Sequence, residues 1–85
     1  YYTAANYYYS NDKDMDQAYK WIKMANQMAP RFWQMRVQAL IEAKMGKYKD
    51  AIATAERSTA MAKENNNTGY PVMNAKSIAE WKTKM

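Results

Sequence analysis

Arg36, Leu40 and Lys44 stand four residues apart, so on a helix they share one face. A guanidinium and an ammonium beside an apolar side chain could hold a peptide carboxylate or an acidic side chain. Asp12-Lys13-Asp14-Met15-Asp16 has the alternating acids that begin a calcium loop. Such a loop needs glycine at its sixth place and a bidentate acid at its twelfth, and this chain has Gln17 and Lys23 there. The acids are therefore read as helix-capping and solubilising groups. Tyr7-Tyr8-Tyr9 and Trp33 could stack on bases or sugars, but large rings opposite alanines on a facing helix more often fill a core. Three consecutive tyrosines cannot all point inward, so at least one is expected to face solvent or a partner.

Two absences narrow the chemistry. The chain has no cysteine and no histidine, which removes disulfides, thiolate metal sites, thiol nucleophiles and the commonest general base near neutral pH. Asp12, Asp14 and Asp16 sit in a capping turn, and Glu42, Glu56, Glu64 and Glu80 are spread along three expected helices. No catalytic residue, metal ligand or cofactor is expected, and the chain reads as non-enzymatic. The net charge is +5, distributed as zero over residues 1–30, +3 over 31–62 and +2 over 63–85. That field favours an anionic partner, yet the lysines are scattered among acids and form no continuous stripe. Nucleic acid is disfavoured, and weak binding of nucleic acid or lipid headgroups stands as the alternative to a protein partner.

The elements that must position these groups are helices. Glycine and proline occur twice each, and alanine, methionine, lysine and glutamine are plentiful. No apolar run approaches the ~20 residues of a membrane span. Met15, Ala18, Ile22, Ala25 and Ala29 follow spacings of 3, 4, 3 and 4, and Tyr48, Ala51, Ala55, Ser58 and Ala62 repeat them 33 residues later. Each such helix follows another apolar helical stretch and a short polar turn, so the unit is a helical hairpin. The all-α expectation is one domain over 1–85: a first hairpin over 1–30, a second over 31–66 and a capping helix over 70–85.

Within the first hairpin, about Tyr1 to Ser10 pairs with about Asp14 to Met28, and Asp14 and Gln17 could form a capping box. Pro30 precedes a third helix from about Arg31 to Met45, closed by a left-handed Gly46. A fourth helix starts near Lys47 and frays in Asn65-Asn66-Asn67-Thr68-Gly69. Pro71 opens a fifth to about Lys84, whose apolar stripe is Val72, Ala75, Ile78, Ala79 and Trp81. Met24, Met28, Met35, Met61 and Met73 are assigned to core or edge packing. The start at Tyr1-Tyr2, without an initiator methionine, suggests a piece of a longer protein or a processed product.

Alternation of large and small residues on a 33-residue hairpin resembles the tetratricopeptide repeat. Tyr2 and Tyr9 stand at large positions, Ala18 and Ala25 at small ones with Ile22 between, and Pro30 at the end. The second hairpin has Ala39, the Gly46-Lys47-Tyr48 turn and Ala51, but departs with Gln38 and Glu42 where large apolar residues are usual. From Phe32 to Trp81 the chain is also similar to the carboxy-terminal helical part of an uncharacterised Bacteroidetes family. The likeness lies in Trp33-Gln34-Met35-Arg36-Val37, Leu40-Ile41-Glu42-Ala43-Lys44, Ala51-Ile52 and Asn74-Ala75-Lys76-Ser77-Ile78-Ala79-Glu80-Trp81. In that family a β-rich domain precedes the repeats and many members are read as exported. The resemblance implies a two-part parent in the bacterial envelope or periplasm, and no catalytic residue.

In tetratricopeptide stacks the first helix of each hairpin lines a groove that holds extended peptides. The resemblance places Thr3, Tyr7, Trp33, Arg36, Leu40 and Lys44 at such positions. Thr3 and Tyr7 stand where the basic clamp of chaperone-binding relatives has its first lysine and asparagine, so that clamp is not reproduced. The expected function is a non-catalytic interaction or scaffolding module for a protein, a peptide or an N-terminal domain of the same chain. A short stack with apolar edges also leaves self-association open.

Overall fold

The computed structural model covers residues 1–85 and contains five helices and no strand: α1 (Tyr2–Ser10), α2 (Met15–Met28), α3 (Phe32–Lys44), α4 (Tyr48–Glu64) and α5 (Gly69–Lys82). Turns of three or four residues make consecutive helices antiparallel neighbours, and each packs on the one before it. In addition α3 touches α1 on one side and α5 on the other. The three odd-numbered helices thus lie side by side in a slab of 30 × 30 × 19 Å. No helix is long and apolar enough to cross a membrane.

Helix ends follow local chemistry. Asp14 accepts a hydrogen bond from the Gln17 amide at 3.2 Å and caps α2; the reciprocal half of the expected capping box, from the Gln17 side chain, is not formed. The ends of α1, α3 and α4 share one device. A left-handed residue, Asp12 (φ 53°), Gly46 (φ 82°) or Asn66 (φ 59°), turns the chain so that the next amide reaches back over the last turn. These long closing bonds run from Lys13 N to Tyr8 O (2.9 Å), Lys47 N to Glu42 O (2.8 Å) and Asn67 N to Ala62 O (2.8 Å). Sequence reading anticipates only the glycine among the three. Asn67 then accepts from the Tyr70 amide at 2.9 Å and satisfies the start of α5. Pro71 is the third residue of α5 instead of its opening one, which costs little because the first amides of a helix lack internal partners.

The core is thin and alanine-rich, and α3 divides it. Ala5, Ala18, Ile22, Ala25, Val37 and Ile41 form one cluster between α1, α2 and α3. Ala39, Ala51, Ala55 and Trp81 form another between α3, α4 and α5. Alanines let the backbones approach closely, and rings close the gaps: ten of the twelve aromatics are buried or half-buried. Of the tyrosine triplet, Tyr7 is the one that faces solvent, at 55% exposure.

Three packing expectations are corrected. Ala29 ends its stripe exposed, as the residue that closes α2. Met28 and Met73 are exposed instead of packed. The expected stripe of α5 is only half inward: Ile78 and Trp81 face the stack, while Val72 (58% exposed), Ala75 and Ala79 face out. The inward face of α5 is built instead on Asn74, Ser77, Ile78 and Trp81, because a buried polar anchor rotates the helix away from its apolar stripe.

Candidate functional site

The odd-numbered helices leave an open groove of about 310 Å³ on their shared side. Leu40, Ala43 and Lys44 of α3 form one wall, Ser77, Glu80 and Trp81 of α5 the other, and Tyr9 of α1 closes an end. Trp81 is held in place by its own burial against Ala39, Ala51 and Ala55. Tyr48 and Lys84 also line the groove, and both continue into a second cleft of about 500 Å³ at the turn between α3 and α4. That cleft carries Lys47, Lys49 and Asp50.

Of the six residues expected in one groove, the structure brings only Leu40 and Lys44 together there. Lys44 is paired with Asp12, and its ammonium lies 5.0 Å from the centre of the Tyr9 ring, so it also latches α3 to the α1–α2 turn. Arg36 points at α5: Nη1 donates to Asn74 Oδ1 at 2.9 Å and to Ser77 Oγ at 3.3 Å. Burial pulls its guanidinium below the ordinary arginine range, partly countered by the nearby Tyr70 and Tyr9 phenols. Thr3 lies in a separate hollow with Tyr2, Met28 and Gln34. Tyr7 stands in solvent, with the Lys13 ammonium 5.6 Å from its ring centre. Trp33 turns towards the α4–α5 loop, beside Met61 and Asn65, and packs edge-on against Phe32 at 4.9 Å. Spaced by three and four, residues 33, 36 and 40 share one face of α3, and they part because different neighbours lie along it: the α4–α5 loop at Trp33, Asn74 and Ser77 at Arg36, and the groove at Leu40.

Two polar assemblies escaped sequence reading. Asn74 is fully buried; its Nδ2 donates to Ser58 Oγ (3.0 Å) and Thr59 Oγ1 (3.1 Å), while its Oδ1 accepts from Arg36. Ser58 in turn donates to the Phe32 carbonyl at 2.7 Å, so one side chain ties α3, α4 and α5 together. The second assembly runs along the α2–α3 seam. Gln34 donates to Asn26, Asn26 to Gln38, and both Gln38 and Tyr19 to Glu42 Oε2. Glu42 is 2% exposed, and its Oε1 is the single buried side-chain polar atom without a partner. Burial, then the hydrogen bond to Glu42 and the charges of Glu42 and Asp50, push the Tyr19 phenol up to about 12. The departures at Gln38 and Glu42 are thus members of a ladder, and its visible signal was the four-residue spacing of Gln34, Gln38 and Glu42.

Comparison with protein-family models, with curated proteins and with solved structures gives no match to this chain.

Proposed function

We propose that the chain is a non-catalytic interaction or scaffolding module with tetratricopeptide-like stacking, holding a peptide or a neighbouring domain of its own protein along the side shared by α1, α3 and α5. The observation that carries this reading is the open groove in which Tyr9, Leu40 and Trp81 offer apolar contact beside the ammoniums of Lys44 and Lys84. A ligand lying there would touch one helix of each hairpin and the closing helix α5, whose wall is anchored by the buried Asn74 and Trp81. Non-catalytic character is supported by the side chains present: there is no imidazole or thiol, and the buried carboxylate, Glu42, is engaged in the internal ladder on another face of α3.

Glu80 offers a clean test, because it is exposed and lies on the groove wall. Glu80→Trp should cover the groove without disturbing the core. Pull-downs from a native extract with the wild-type chain and with Glu80→Trp, both verified as folded by circular dichroism, should differ by a protein captured only by the wild type. Equal capture by both chains would refute the groove. Charge reversal at Arg36 is a poor probe, because it would break the bond to Asn74.

A further inference from the structure

We infer that the occupant is an extended acidic peptide, with one or two carboxylates over the corner between α3 and α4 and an adjoining apolar side chain seated between Leu40 and Trp81; this rests on the peptide-binding reading above. Lys47, Lys49 and Lys84 line the corner cleft with Asp50 as the only acid. No ion pair forms among these four, since the chain's sole salt bridge is Lys44 with Asp12. The Lys47 ammonium rests over the Tyr19 ring, 5.4 Å from its centre, which leaves Lys49 and Lys84 as the lysines without a contact partner in a concave surface, an arrangement that focuses field and favours an incoming anion.

The cleft does not stand alone. Tyr48 and Lys84 line both it and the groove, so a lysine-lined mouth leads directly into a groove of mixed apolar and polar lining. An extended strand places side chains of one face about 6–7 Å apart, which suits a carboxylate at the mouth and an apolar group in the groove two residues away. A nucleic acid fits worse. Its phosphates repeat without interruption, while here Asp50 stands in the mouth and Glu80 in the groove, and five of the nine residues lining the groove, Tyr9, Leu40, Ala43, Tyr48 and Trp81, are apolar.

The test is a random twelve-residue peptide display library panned against the wild-type chain, followed by fluorescence anisotropy of the enriched peptides. The expected peptides carry Asp or Glu within three positions of Leu, Ile or an aromatic. Lys49→Glu with Lys84→Glu should weaken them at least tenfold. Lys20→Glu with Lys63→Glu, which makes the same change in net charge at exposed lysines outside both clefts, should leave binding within about twofold. Enriched peptides that lack acids, or ignore the Lys49/Lys84 change yet are lost with Glu80→Trp, would overturn the acidic occupant and leave the groove reading standing. A library that yields no binder would overturn both. Phosphatidylserine vesicles or a twenty-nucleotide single strand bound as tightly as the best peptide, with the same lysine dependence, would replace the peptide with a general anion.

Discussion

The bond from Arg36 to Asn74 is a point where a single change should loosen the fold, because α5 has no covalent tie to the stack beyond a four-residue loop. A hydrogen bond to a charged group contributes about 1.5–3 kcal/mol in a dry setting, and the half-exposed state of Arg36 reduces that to about 1–2 kcal/mol. Asn74 also bonds Ser58 and Thr59, each contact worth about 0.5–1.5 kcal/mol, so Asn74→Ala should cost about 3 kcal/mol. Arg36→Ala should cost about 1–2 kcal/mol by the same reasoning. In a domain of this size each kcal/mol corresponds to about 4–8 °C, so Tm should fall by about 12–24 °C for Asn74→Ala. The assay is urea and thermal unfolding by circular dichroism of both single variants and the double variant. Their double-mutant cycle should return a coupling of about 1–2 kcal/mol. A coupling below about 0.5 kcal/mol, or a loss below about 1 kcal/mol for Asn74→Ala, would refute the view that this node docks α5.

Two other perturbations follow from the same structure. Asn66→Gly should raise stability by about 0.5–1 kcal/mol, since glycine takes the left-handed conformation without strain, and urea midpoints would read it; an unchanged or lowered midpoint contradicts it. The Tyr19 phenol ionises near 10 in the unfolded chain and at about 12 when folded, so its stabilising effect is complete below pH 10 and is lost as pH rises from 10 to 12. Unfolding curves across that window should fall less steeply for Tyr19→Phe than for the wild type, and parallel curves would disprove the assignment.

The helices and most of the inward faces of α2 and α4 were legible in the residues themselves. The stripe Ala18, Ile22, Ala25 and its repeat Ala51, Ala55, Ser58, Ala62 are buried, because a helix keeps residues three and four apart on one side whatever surrounds it. Asp14 as a cap and Gly46 as a left-handed stop are equally local, each satisfied within a few residues of itself. The site was not legible in that way. Leu40 and Lys44 share a groove, but its far wall is Ser77, Glu80 and Trp81, more than thirty residues on, and which face of α5 supplies that wall depends on Asn74. Periodicity ranks an asparagine as a solvent-facing residue and Val72, Ala75 and Ala79 as the buried stripe. Three partners on two other helices reverse that order, since a fully bonded amide loses little on burial while a few small apolar side chains gain little from it. Local spacing therefore determined where the helices run, and only tertiary contact decided how α5 is turned, where Arg36 is spent and which side chains are left to meet a partner.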